Sequence, residues 1–177
     1  MRLPRHRRRQ GRASLLDRSA VVSIRILAET PHLDAVAAWL HAQWWAADGW
    51  TLAATRDFLA AARGPRAPAC FLAEEGGMPL GTATLDTDDL PARMDLAPWL
   101  ASVLVAPAAR GRGIATALVA HVEAAAAALG HARLYLHTPD AGRFYAARGW
   151  HGLGEEAWQG RPTLLMAKDL PVSRPGG

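Results

Sequence analysis

The segment Val103-Leu104-Val105-Ala106-Pro107-Ala108-Ala109-Arg110-Gly111-Arg112-Gly113-Ile114-Ala115 constrains this chain more than any other. An apolar run stops at a proline, which cannot donate to a sheet ladder. A basic turn punctuated by Gly111 and Gly113 follows, and an alanine-rich amphipathic stretch begins at once. This pattern predicts a strand feeding a helix through a loop whose backbone amides point the same way, which is an anion site. The two glycines admit close approach of a ligand, and Arg110 and Arg112 offer charge-assisted donors. The loop is not a P-loop, because the lysine and Ser/Thr after the last glycine are missing, and it is not a dinucleotide G-x-G-x-x-G. Taken alone, it is equally a tight strand-to-helix turn with solvated arginines.

The flanking sequence places this turn late in a mixed α/β domain spanning residues 21–170. Val21 to Leu27 reads as a strand. Thr30-Pro31 reads as a helix start, with Leu33, Val36, Ala37, Leu40 and Trp44 at helical spacing. Thr51 caps a second helix with Leu52, Thr55, Leu59 and Ala62 on one face, ended by Gly64-Pro65. Ala69–Glu74 and Leu80–Leu85 form a hairpin about Gly76-Gly77. An acidic loop (Asp86, Asp88, Asp89, Asp95) leads to a strand from Trp99 to Val105. After the loop come a helix over 113–129 with Gly130 as its C-cap, a strand from Leu134 to His137, and a short helix capped by Asp140. A final hairpin turns near Gln159-Gly160.

Composition narrows the function classes. Of 177 residues, half are apolar, enough for a real core. No run approaches the ~18 apolar residues of a membrane span. A lone cysteine, Cys70, forms no internal disulfide and no zinc motif, so no metal is expected and a cytoplasmic setting fits. The net charge of +4 is uneven: seven arginines lie in residues 1–20 against one acid, Asp17, so the rest is slightly acidic. That tail has no aromatic residue for base stacking, which argues against nucleic-acid recognition; it reads as a disordered extension, as does 171–177.

In combination these motifs resemble the GNAT superfamily of N-acetyltransferases. Arg110-x-x-Gly113-x-Ala115 matches its Gln/Arg-x-x-Gly-x-Gly/Ala signature, and the likeness extends through the helix, Leu134-Tyr135-Leu136 and Phe144-Tyr145-Ala146-Ala147-Arg148-Gly149-Trp150. The resemblance implies a mostly antiparallel central sheet flanked by helices, with a splayed strand pair holding the cofactor. It implies acetyl-CoA as cosubstrate and direct transfer of acetyl to an amine in a ternary complex. Arg110, Gly111, Arg112, Gly113, Ile114 and Ala115 would grip the pyrophosphate. Val103, Leu104 and Val105 would pair with the pantetheine arm as if it were a strand, a backbone amide there polarising the acetyl carbonyl. Tyr145 would stand near the cofactor sulfur as general acid.

The residues leave the base open. Many GNAT enzymes carry a glutamate on the strand before the loop, where this chain has Trp99, Leu100, Ala101 and Ser102. The candidates are Asp95, Glu74, Asp86 and His137, the last with a near-neutral pKa when unperturbed. Asp95 and His137 are carried forward as catalytic residues with Tyr145. On the acceptor side, Trp39, Trp44, Trp45 and Trp50 cluster with His41. Adjacent Trp44 and Trp45 cannot both face one core from a helix, so at least one is expected in a cleft or at the surface. Together with the acidic loop they favour a small-molecule amine. A protein N-terminal or lysine acetyltransferase and a non-catalytic acyl-CoA-binding module are the alternatives, and a homodimer is compatible with all three.

Overall fold

Seven strands pair into one sheet because the chain alternates apolar runs with turns that return them to the same layer. The computed structural model describes residues 21–171, outside which lie the basic segment 1–20 and residues 172–177. In chain order the elements are β1 (Ser23–Ile26), α1 (Leu33–Leu40), a π-helical turn (His41–Trp45), α2 (Leu52–Ala61), β2 (Ala69–Glu75), β3 (Met78–Asp86) and β4 (Trp99–Val105). Then follow α3 (Ile114–Ala128), β5 (Arg133–Thr138), α4 (Gly142–Ala146), β6 (His151–Trp158) and β7 (Arg161–Asp169). The sheet order is β1-β2-β3-β4-β5-β7-β6. Every neighbouring pair is antiparallel except β4 and β5.

Helices cover both faces, so the central strands are apolar on both sides. Along β2 the alternation of side chains divides two cores. Ala69, Phe71 and Ala73 pack with Leu118, Val122 and Ala126 of α3, while Cys70 and Leu72 pack with Val36, Leu40 and Leu59 of α1 and α2. Each fully buried leucine, such as Leu118, contributes roughly 2 kcal/mol from area removed from water. A third cluster joins Leu90, Trp99 and Leu165 at the start of β4. Cys70 is buried in the core under α1 and α2 as a small apolar residue, its Sγ 3.1 Å from the Thr82 hydroxyl.

Local start signals are met in part. Thr51 caps α2, its Oγ1 accepting from the Ala54 N–H at 3.1 Å. Thr30 does not cap α1: its hydroxyl donates to the Leu27 carbonyl at 2.8 Å and accepts from His32 N–H, so α1 begins at Leu33. Asp140 likewise caps nothing, because the free Ala141 N–H is taken by Thr138 Oγ1 at 3.0 Å. Both hydroxyls reach the backbone from the end of the preceding segment, and the local turn wins over the helix cap.

The feature that positions the site lies between β4 and β5. These two strands share a single register pair, Trp99 with Tyr135, next to a Tyr135 N–H to Pro98 carbonyl bond of 3.0 Å. Beyond that point they part. On its other side, β4 pairs with β3 through a bulge, where Thr82 faces Leu104 and Thr84 faces Ala101. Ser102 sits in the bulge with φ of 52°, a left-handed conformation that is uncommon outside glycine and concentrates at functional sites. The bulge turns β4 away from β5 and leaves one edge of Val103–Val105 without a strand.

Candidate active site

The parted strands open onto a cavity of about 400 Å³. Leu100, Ala101, Ser102 and Val103 of β4 form one wall and His137 of β5 the other, with Tyr145 of α4, Trp158 of β6, and Trp44 and Trp45 around the rim. The π-helical turn explains how adjacent Trp44 and Trp45 both reach the cavity. A wider turn shifts the helical register by a residue, so the pair is not divided between core and solvent. Trp45 packs against Trp50 and Phe58 at centroid distances of 5.2 and 5.4 Å, and His41 Nε2 lies 3.0 Å from the Trp50 carbonyl. The acceptor-side aromatics thus form one braced wall.

The glycine turn stands where β4 ends. Gly111 and Gly113 have φ of 75° and 77°, and Gly113 precedes the first residue of α3 with no side-chain cap. The first bond reaching back from the helix is Ala117 N–H to the Gly113 carbonyl at 3.0 Å. The N–H groups of Ile114, Ala115 and Thr116 are therefore left without an intrahelical partner, and the helix dipole adds partial positive charge there. This arrangement fits the phosphates of coenzyme A. The two arginines of the turn differ. Arg112 is held by Glu75 of β2, one nitrogen lying 2.8 Å from both carboxylate oxygens, whereas among the described residues Arg110 reaches only the Val105 carbonyl, at 3.4 Å. A further cation, Arg148, lies across the first turn of α3, with Nε 3.1 Å from Thr116 Oγ1 and its guanidinium over the Phe144 ring.

Tyr145 is buried against Phe144 and Trp150, and its hydroxyl makes no hydrogen bond among the described residues. Burial pushes its phenol up to about 12, with the charge of Asp89 adding to the rise and Arg148 opposing it. His137 is held at both ring nitrogens: Nδ1 lies 3.1 Å from Thr163 Oγ1, and Nε2 lies 3.3 Å from Asp89 Oδ2. Its ring packs 5.2 Å from Trp158.

The remaining carboxylates named from the sequence stand elsewhere. Asp95 is exposed and clasped by Arg93 through two bonds of 2.9 and 2.8 Å, which hold its carboxyl below the usual range. Glu74 lies by Arg25 and His32 near the β1 edge. Asp86 ends β3, and burial, reinforced by Asp89 and Asp88, lifts it to about 6. None of the three lines the cavity. Asp48, Asp89 and Asp140 do, and among the described residues the lining includes no lysine or arginine. The acidic loop announced Asp89 only as one acid among several; its meeting with His137 depends on long-range strand order.

Comparison with known proteins agrees with this geometry. The acetyltransferase (GNAT) family matches residues 33–150. A mycothiol acetyltransferase of Nocardia farcinica (strain IFM 10152) is 38% identical over 148 residues, 73% of this chain and 46% of that protein. The chain thus spans about half the length of that curated relative. Among solved structures, an aminoglycoside 6'-N-acetyltransferase complexed with coenzyme A superposes with a TM-score of 0.66 at 15% identity, covering 88% of this chain and 99% of the other. N-acetylglutamate synthase from Neisseria gonorrhoeae, complexed with coenzyme A and N-acetyl-glutamate, gives 0.61 at 23% identity over 85% of this chain and 35% of its own. The mixed sheet, its parted strands and the matched span lead to one conclusion: the chain belongs to the acetyltransferase (GNAT) family.

Proposed function

We propose that this protein transfers the acetyl group of acetyl-CoA to a primary amine of a small, cationic molecule, by direct attack in a ternary complex. The carrying observation is the opening between β4 and β5. It leaves the edge of Val103–Val105 without a strand and brings Val103 and Tyr145 into the lining of one cavity, with the free amides of α3 following the end of β4. Coenzyme A would supply an activated thioester. The amides of Ile114, Ala115 and Thr116 bind its phosphates in this reading, and the free edge of Val103–Val105 binds its amide-bearing arm.

Tyr145 acts as a donor to the departing sulfur. A phenol raised to about 12 stays protonated at every physiological pH. It is also a weaker acid than an ordinary thiol near 8.5, so full transfer to the thiolate runs uphill. The hydroxyl therefore stabilises the developing charge by hydrogen bonding, a preorganised donor in a water-poor site.

The acceptor class follows from charge and shape. Three aspartates, with no lysine or arginine among the described residues of the lining, favour a cation, and tryptophan faces accept cationic or flat groups. A cavity of about 400 Å³ suits a compact molecule. The names of mycothiol acetyltransferase and aminoglycoside acetyltransferase relatives are compatible with a small amine. The test is thiol release from acetyl-CoA across polyamines, amino sugars, amino acids and peptides. Small cationic amines are expected to give the highest kcat/KM; a preference for peptide N-termini would overturn the acceptor assignment.

A further inference from the structure

The geometry points to Asp89 as the group that takes the proton from the acceptor amine, with His137 as the residue that positions it. This rests on the acetyltransferase reading above. His137 is the histidine of the cavity, but its ring is fully engaged. Its Nε2 lies 3.3 Å from a carboxylate oxygen of Asp89, an arrangement that is attractive when the ring proton sits on Nε2. The basic lone pair of the neutral ring is then on Nδ1, 3.1 Å from Thr163 Oγ1, a residue 1% exposed. That lone pair faces the sheet and not the substrate. Asp89 differs: its side chain is 27% exposed and lines the cavity. One oxygen is anchored by the imidazole while the carboxylate still faces the cavity. Its charge is also felt by the Tyr145 phenol across that space.

The carboxylate that many relatives would carry on β4 is thus supplied from the loop between β3 and β4. The amine lone pair forms the C–N bond as the C–S bond breaks and the sulfur leaves with its electron pair. The ammonium first gives one proton to Asp89, which frees that lone pair; after attack the second N–H proton passes to the departing sulfur, whose developing charge receives the Tyr145 hydrogen bond. Other charged groups lie on the same loop or in the same lining. Asp86 and Asp88 lie on its own loop, and Arg93 farther along is engaged by Asp95 and Glu156. Asp140 follows β5 and Asp48 follows the π turn. They leave the site net acidic, which draws in a protonated amine that must then lose a proton.

The experiment compares wild type, Asp89→Asn, His137→Phe and His137→Gln by thiol release, using aliphatic amines against alkoxyamines of similar size, which are already neutral at neutral pH. Asp89→Asn is expected to lower kcat about a hundredfold or more with aliphatic amines and less than about tenfold with alkoxyamines, with coenzyme A binding unchanged in calorimetry. His137→Phe keeps the ring packing and removes the donor to Asp89, so the acidic limb of kcat moves to higher pH with KM for acetyl-CoA unchanged. His137→Gln, which retains a donor, restores the limb. A limb unmoved by His137→Phe, or an Asp89→Asn loss equal for both amine classes, makes these residues structural and overturns the assignment. Wild-type turnover with undiminished Asp89→Asn activity overturns it alone. A wild type inactive with every amine overturns the acetyltransferase reading and this assignment together.

Discussion

Gly81 of β3 lies so close to Leu104 of β4 that a Cβ on it would stand 2.7 Å from the Leu104 carbonyl oxygen, and 3.2 Å from Val105 Cα. Backbone on one side leaves nothing flexible to yield. Gly81→Ala must push away the strand segment whose other edge borders the opening. The expected cost is about 1–3 kcal/mol of stability, read as a Tm lower by roughly 2–4 °C per kcal/mol for a chain of this size, with weaker acetyl-CoA binding in calorimetry. An unchanged affinity would show that this edge is not part of the cofactor site.

Removing the Tyr145 hydroxyl tests its proposed role directly. It has no hydrogen-bond partner among the described residues, so Tyr145→Phe should alter Tm by less than about 1 kcal/mol equivalent. Turnover should fall roughly a hundredfold while coenzyme A affinity holds. Because the phenol is raised to about 12, the donor is present below that pH. The alkaline limb of wild-type kcat should therefore show no loss from Tyr145 up to about pH 10.

Asp86 is held against its own chemistry. Its folded pKa, about 6, lies above the unfolded value near 3.9. The native state therefore binds more protons between these values, and stability falls as pH rises from about 4 to 6. Asp86→Asn keeps an oxygen for the Thr87 N–H, which is 2.7 Å away, and removes the buried charge. Denaturant titration at pH 7 should show a gain of about 2 kcal/mol, shrinking toward pH 4. A loss at pH 7 would contradict this account.

Gly113 separates backbone conformation from steric fit. Nothing lies within 4 Å of a Cβ there, yet its φ is 77°. Asn adopts this conformation readily, and a β-branched residue does not. Gly113→Asn should bind acetyl-CoA within a few-fold of wild type. Gly113→Val should lose about tenfold or more, as the amides of the first turn of α3 are re-aimed at a strain cost of about 1–3 kcal/mol. Equal behaviour of the two variants would remove the turn from the cofactor site.

Much of this layout is legible in the chain because its signals are local. The run from Trp99 to Val105 and the break at Pro107 marked β4, and Thr51 marked the start of α2, each from its own neighbours. The glycine pair at 76–77 and the Gln159-Gly160 turn defined their hairpins in the same way. The site was less legible because it depends on distant partners. Ser102 enters a left-handed conformation although serine at that position carries no bulge signal. Asp95 and Asp89 look alike in one acidic loop, and only Arg93 beside one and His137 beside the other tell them apart. The π turn at His41–Trp45 breaks the helical period that divided Trp44 from Trp45.

The single register pair between Trp99 and Tyr135 has a consequence for how this fold can keep a strand uncovered. An unpaired edge on the rim of a sheet invites any passing strand to add to it. Here the bare edge of Val103–Val105 lies in the interior of the sheet, within a wedge whose far wall is β5, itself bonded along its length to β7. A slender amide-bearing chain can enter that wedge from its open end. A strand that brings its own neighbours is too broad to follow, so the same hinge that creates a recognition surface also screens it against misassociation.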